Sequence, residues 1–299
     1  MSSVISVASQ WKSLRGSIKQ IMGDKDKYEP DYPEYVKEMS ATKAYHDFQE
    51  YAFDGLLRER GEGTPIETGR LIEGMSQRVL MRTFAVQVLV TSEARDDEEQ
   101  DKVLDITRRI RRAAVQTKDI DCAQFLNRFT STDYVFADGQ PLASNAHKHP
   151  SGATFSNILG TGAAPSLTAL QTVRANLMKM EGYDGIREGY MIEKIICPVD
   201  QINAWETILG SSQVPDSNNN AINNMKKFNI KLVPVRQWTS TSTSWGVITD
   251  ADGGLVYMTR LKDTFRDWVD ENTDTYHYSV KYRSGRTNTN SRGHFWSVI

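Results

Sequence analysis

Glu93–Phe129 reads EARDDEEQDKVLDITRRIRRAAVQTKDIDCAQFLNRF, and its reading decides the architecture. Apolar Val103, Ile106, Ile110, Ala113, Ala114, Ile120 and Phe125 recur mostly every three or four residues, the spacing that puts them on one helical face. No Gly or Pro interrupts the run. Asp96, Asp97, Glu98 and Glu99 open it, and Arg108, Arg109, Arg111 and Arg112 follow a few turns later, the order that a helix macrodipole favours. Asp105 is spaced to pair with Arg108 or Arg109. A helix over Asp96–Phe129 is a rod of ~50 Å, about the width of a compact globule of this chain length. A rod that crosses the whole molecule implies a flat, elongated subunit.

Upstream of the rod, Gly61–Thr91 changes character. Gly61, Gly63, Pro65, Gly69 and Gly74 break any helix, and Val79–Val90 is rich in β-branched and apolar residues, which reads as a long hairpin. Thr83, Ala85, Gln87 and Leu89 alternate with Phe84, Val86, Val88 and Val90, so one face is strongly apolar and needs cover. A hairpin of that length is exposed on its own, and the expected cover is another subunit. Tyr35–Leu57 is a second amphipathic piece, whose Tyr45, Phe48, Tyr51 and Phe53 are expected in the core. Before it, Asp24–Glu38, with Pro30 and Pro33, reads as an extended connector. Ser9 caps a predicted short helix with Trp11, Leu14, Ile18 and Ile21 on one face and Lys12, Arg15 and Lys19 on another. This is an arm expected to dock on its own protein or a neighbour.

Downstream, Ser131–Pro165 is loop-like with scattered short strands. Ser166 caps a predicted helix Leu167–Met180, in which Leu170, Val173 and Leu177 share a face, and Gly182 and Gly185 follow it. Ile192–Val199 reads as a buried strand and Ala204–Leu209 as a short helix. Ser211–Asn224 is a polar loop, Lys231–Val235 a strand, Thr239–Ser244 a low-complexity loop and Trp245–Thr249 a strand. A turn follows at Asp252-Gly253-Gly254. Leu255–Met258 and Tyr276–Tyr282 are further strands, before a polar tail that ends near His294-Phe295-Trp296.

Composition narrows the function. The 299 residues hold one large domain or two smaller ones; 39% are hydrophobic and 25% charged, as in ordinary soluble proteins. A net charge of −2 does not fit a protein that grips nucleic acid by charge. Cys122 and Cys197 are the only cysteines, too few for a disulfide framework or a thiol-rich metal site. The first residues lack a signal-peptide pattern and no run reaches the ~18 apolar residues of a membrane helix, so the expectation is a protein made in the cytosol, without membrane contact.

The candidate chemistry is sparse. His147-Lys148-His149 is the one local histidine pair, and zinc needs three or four ligands at suitable spacing. Gly160-Thr161-Gly162 lacks the Lys-Ser/Thr of a phosphate loop and the full dinucleotide fingerprint. Cys197 sits in the apolar run IICPVD without a defined base. The RRIRR run at Arg108–Arg112 shares its helix with acidic residues, which favours a solvated, salt-bridged face over a nucleic-acid contact. No nucleophile elbow, HExxH or paired-carboxylate signature occurs. Neither a catalytic residue, a cofactor nor a metal is expected, and a structural role is.

The order of the pieces from Gly61 to Ile299 resembles the major capsid proteins of tailed double-stranded-DNA phages, the Mu-like major head subunit group most of all. Thr91, Glu93, Asp96 and Asp97 resemble that group's strand-to-helix junction. Asp138, Gly139, Pro141, Leu142, Ser144 and His147 resemble its DG-x-PL-x-S-x-x-H segment, with Asn157 following. The helix from Ser166, the Asp184-Gly185 turn, the strand ending at Pro198, the Asn-rich loop before Lys231, the strand from Trp245 and the terminal Arg292-Gly293 continue the match.

The resemblance implies an α+β fold of the Hong Kong 97 type. Residues 1–52 would form an N-terminal arm, 53–92 an extended β-hairpin loop and 93–165 a peripheral domain with a spine helix. An axial domain would span 166–254, and 255–299 would return to the peripheral domain. It further implies pentamers and hexamers in an icosahedral shell around double-stranded DNA, which the shell would touch only weakly and non-specifically. Portal and scaffold or decoration proteins would be partners, the virion the destination and the host cytoplasm the place of assembly. Arg70, Arg78, Arg82, Phe84, Asp96, Asp97, Arg108, Arg112 and Asn220 would lie at subunit interfaces. Some relatives weld subunits through an extended-loop Lys; no Lys occurs between Lys43 and Lys102, so a non-covalent shell is expected. Two alternatives stand beside this: an encapsulin-like nanocompartment, and a metal-dependent cytosolic enzyme using His147, His149 and Asp138.

Overall fold

A computed structural model describes residues 28–53, 56–66, 68–91, 100–150, 152–160, 162–213, 222–239 and 243–298, with backbone alone for 100–104. The amphipathic arm expected at Ser9–Ile21 lies outside the described residues.

Strands β1 (Lys37–Ser40), β2 (Tyr45–Phe53), β3 (Leu71–Leu80) and β4 (Arg82–Thr91) precede the long helix α1 (Gln100–Asn127). Two short strands, β5 (His147–Lys148) and β6 (Thr154–Phe155), follow, and then α2 (Leu167–Lys179), β7 (Ile192–Pro198), α3 (Ile202–Gly210), β8 (Lys231–Val235) and β9 (Trp245–Thr249). The chain closes with β10 (Leu255–Asp270), β11 (Thr275–Asn288) and β12 (His294–Ser297). One four-stranded sheet has the order β1-β10-β11-β4 and a second the order β12-β9-β7-β8, while β2-β3 and β5-β6 are separate two-stranded ribbons.

The rod is helical as its spacing predicts, and 28 residues make it ~42 Å long. Asp105 pairs with Arg109, four residues on, at 2.8 Å. Ile110 and Ala114 are buried against Tyr278, Val280 and Tyr282 of β11, with Ile106 partly buried beside them. Farther along, Cys122, Phe125 and Leu126 are fully buried where the two halves of the molecule meet, against Leu142, Tyr257 and Trp296. Ile120, expected on the apolar face, is 46% exposed. It lies off the stripe once the helix runs at its true period.

Strand pairing corrects the expected hairpin. β3 and β4 do not pair with each other: Tyr45–Phe53 pairs with Leu71–Leu80, and Arg82–Thr91 joins β11 along its whole length. Met81 separates the two strands, its amide held by the carbonyl of Ala44. The apolar face of β4 is therefore covered within the chain, since Phe84, Val88 and Val90 pack into the cluster under α1. Tyr35–Leu57, read as an amphipathic core piece, is mostly strand, and Tyr45, Tyr51 and Phe53 are about half exposed. They sit on a two-stranded ribbon that, among the described residues, leaves them open to solvent.

The second sheet carries the other core. Ser166 caps α2 as expected, its hydroxyl accepting from the amide of Ala169 at 3.1 Å. Leu170, Val173 and Leu177 are fully buried with Trp205 of α3 and Trp245 of β9. Residue 255 does not divide the sheets cleanly, because β12 leaves β10 and β11 and pairs with β9. Phe295 and Trp296 point to opposite sides of that sheet, one into each core, so the chain's end ties both halves together.

Candidate subunit-contact surfaces

The β2-β3 hairpin is anchored at one end and bare at the other. At its base Val79 and Met81 pack on Val256 and Met258 of β10, with Phe48 partly buried beside them. Farther out, the amide of Phe53 donates to Asp184 Oδ1 at 2.6 Å. A Cβ on Gly74 would come within 2.9 Å of Pro150, so only the missing side chain lets the ribbon lie this close to its own body. A cavity of about 30 Å³, lined by Phe48, Glu50, Asp138, Phe155 and Arg292 among others, remains beneath it. Beyond Phe53, Leu56 is 73%, Leu57 102% and Ile66 79% exposed. Apolar side chains so placed in one stretch mark a contact surface rather than chance exposure.

The predicted interface residues fall into different places. Arg70 is exposed on the returning limb of the hairpin. Arg78 makes a two-pronged bond to Asp47 across the ribbon, at 2.7 and 2.8 Å, with its guanidinium 4.6 Å from the Tyr45 ring. Arg82 holds both oxygens of Asp121 on α1, and Phe84 stacks on Tyr282 at 5.0 Å. These three have partners within the chain. Arg108 and Arg112 lie on the exposed face of α1, and Asp96, Asp97 and Asn220 lie outside the described residues.

Sequence reasoning missed Asp119 and Asp121, which point to different sides of α1 and tie it to distant segments. Asp119 accepts from the Tyr28 hydroxyl at 2.5 Å and from the amides of Asp31 and Tyr32. Burial pushes its carboxyl above the usual range. Asp121 faces Arg82 and the buried Arg286, whose Nε lies 3.2 Å away. The signal available in sequence was two acids in the apolar last turns of the helix, beyond its basic stretch.

The segment Asp138–Asn157 builds a buried polar knot rather than an open site. His147 is fully buried and its Nδ1 meets Asp138 Oδ2 at 2.5 Å, whereas His149 Nδ1 meets Arg292 Nη2 at 2.8 Å. The two rings flank Phe155, at 5.3 and 4.9 Å, so they point to different partners and do not converge. Asn157 donates to the carbonyls of Leu142 and Ser291 and accepts from the amide of Ser144. His294 receives the Trp296 indole N–H at 2.8 Å and faces Asn288 at 3.1 Å. Burial pushes His294 down to about 3. Burial also pushes the Cys197 thiol up to about 12, which disfavours the thiolate a nucleophile needs. Among the described residues no three acidic, histidine or cysteine side chains are grouped to hold a metal ion, and no helix is long and apolar enough to cross a membrane.

A family model described as phage capsid protein matches residues 76–296. The chain belongs to the phage capsid protein family. No curated protein matches it. Among solved structures, the capsid of cyanophage P-SCSP1u is similar with a TM-score of 0.58 at 8% identity, over 91% of this chain and 89% of that one. A Microbacterium phage Oxtober96 chain is similar with a TM-score of 0.57 at 9% identity, over 92% and 93%. A virus-like particle from Pyrococcus furiosus is similar with a TM-score of 0.50 at 6% identity, over 97% and 99%. At such identities the likeness is one of fold, the Hong Kong 97 type, with mixed helix and strand as the sequence implied. This major capsid protein is a shell component of a phage virion and assembles with copies of itself.

Proposed function

We propose that this capsid protein forms pentamers and hexamers that close an icosahedral shell around double-stranded DNA. The β2-β3 hairpin and its connecting stretch act as the extended loop, in place of the 53–92 span expected from sequence, and reach onto a neighbouring subunit. The α1 helix serves as the spine, the residues ahead of β2 form the arm in place of the 1–52 span expected from sequence, the second sheet forms the axial domain, and the loop Ser211–Asn224, of which 214–221 lie outside the described residues, is assigned to the capsomer axis. Arg70, Arg108, Arg112 and Asn220 contact neighbours, as do Asp96 and Asp97; Arg78, Arg82 and Phe84 shape the hairpin and its root. Assembly takes place in the host cytoplasm, with portal and scaffold or decoration proteins as further partners. The protein is structural rather than catalytic.

One observation carries this reading: the outer hairpin presents Leu56, Leu57, Ile66 and Leu71 to solvent, all at least 66% exposed among the described residues. The net charge of −2 suits a container, because a strongly basic lining would hold entering DNA at its phosphates. Electron microscopy of the purified, overexpressed chain is expected to show closed shells, and a stable monomer at assembly concentrations would overturn the proposal. Shells purified from infected cells are expected to hold DNA; protein cargo instead would favour a nanocompartment.

A further inference from the structure

We propose that β4 is a homotypic contact, its open edge pairing antiparallel with β4 of a second copy across a two-fold axis centred on Gln87. The inference rests on the reading of the chain as a shell subunit. The edges of the first sheet differ in how they are protected. An exposed strand edge invites pairing, and proteins blunt such edges with charge, bulges or brevity. β1 is four residues long and carries Lys37 and Glu38. Beyond the stretch paired with β1, β10 carries Lys262, Asp263, Arg266, Asp267 and Asp270, and its pairing with β11 shifts register between Thr259 and Thr264. Past Arg82, which is held by Asp121, β4 has none of these devices. It pairs with β11 over ten consecutive residues without a shift and carries no charge, Gly or Pro from Thr83 to Thr91. Among the described residues no strand pairs with its other edge.

The strand is also complementary to itself. Read about Gln87, TFAVQVLVT sets Phe84 against Val90, Ala85 against Leu89 and Val86 against Val88. Side chains alternate in direction along a strand, so every such pair shares a face, and no like charges oppose each other. A two-fold contact requires this self-matching of one surface. Val86 and Leu89, 45% and 58% exposed, lie on opposite faces of the strand and would both lose solvent. A neighbour's hairpin is a poorer occupant, because β2 and β3 carry Asp47, Glu50, Glu73 and Arg78 and would set charges against this uncharged edge.

The test uses assembled particles of the full chain. Both native cysteines are buried, so Gln87→Cys adds a single accessible thiol, and a short bismaleimide is expected to give a dimer on a reducing denaturing gel. Ser279→Cys, one strand inward on β11, is expected to stay monomeric. Closed shells that give no Gln87→Cys dimer overturn the homotypic pairing and leave the shell reading intact; wild-type chain that forms no shells overturns both. A second route does not depend on the thiol. Gln87→Lys and Gln87→Glu each place like charges across the axis, so each alone is expected to lose closed shells, and co-expression of the two to restore them. A mixture no better than either single variant also overturns the pairing.

Discussion

Asp121 neutralises guanidinium groups from two elements far apart in the chain, Arg82 at the root of the hairpin and Arg286 on β11. Arg286 has only 8% of its side chain exposed and lies over the Phe125 and Tyr134 rings. Asp121→Ala would leave that charge buried and unpaired, at a cost of about 3–5 kcal/mol, read from urea unfolding of dissociated subunits. Arg82 is 49% exposed and water screens its pairing, so Arg82→Ala is expected to cost less than ~1 kcal/mol in the same assay. His294 supplies the pH dependence. Its folded pKa of about 3 lies below the ordinary 6.5, so the unfolded chain takes up the proton first. Its contribution is fully present above pH 6.5 and is lost as pH falls from 6.5 towards 3, at up to ~1.4 kcal/mol per pH unit. His149, also pushed down by burial and by Arg292, acts in the same direction. His294→Gln is expected to lose less stability than the wild type between pH 7 and pH 5; equal losses would remove His294 as the sensor. The residues of this knot were visible in sequence only as motif letters. Asn157 and His294 stand 137 positions apart, and local spacing carries no information about a partner at that distance.

At the scale of elements, periodicity served where an element has one buried and one wet face and one period. The long helix, Ser166 and its helix, β7, β8 and β9 were legible for that reason. β10 was expected to end at Met258 and runs to Asp270, and β11 extends on both sides of Tyr276–Tyr282. Leu261–Asp270 is rich in charge because it forms an exposed, bulged edge, and that composition imitates a loop. The hairpin differs from expectation because the β-branched and apolar stretch Val79–Val90 runs across the end of β3 and into β4, and nothing local says that Met81 hands the strand from one partner to another. The crossing there is tight. A Cβ on Gly285 would lie 2.7 Å from the carbonyl oxygen of Leu80 and 2.8 Å from Val79 Cγ1, and backbone cannot yield as a flexible side chain does. Gly285→Ala is therefore expected to destabilise by about 1–3 kcal/mol. It should also speed hydrogen exchange in Tyr45–Phe53 and Leu71–Leu80 more than in β7–β9. A uniform change across both sheets would mean that the close approach does not hold the hairpin root.

At the scale of the whole molecule, β12 sends Phe295 into one core and Trp296 into the other, so the body is a single tied unit from which the outer hairpin departs. A tied body with one bare projection suits assembly, since it docks without refolding and lays down apolar surface only when a neighbour arrives. The chemistry of that projection decides whether the contact is welded. An amide cross-link needs a neutral amine, yet no Lys lies between Lys43 and Lys102. The hairpin's arginines, Arg58, Arg60, Arg70, Arg78 and Arg82, do not replace it, because a guanidinium group is a poor nucleophile. Cohesion must then come from buried apolar area and from strand pairing, both of which chaotropes weaken. Mature particles boiled in reductant and detergent are expected to run as one band at subunit size, and guanidinium is expected to disperse intact shells into subunits without protease or reductant. A ladder of linked oligomers under those conditions would show a covalent bond from some residue outside the hairpin, and the shell's strength would then not rest on the exposed leucines and isoleucine at its tip.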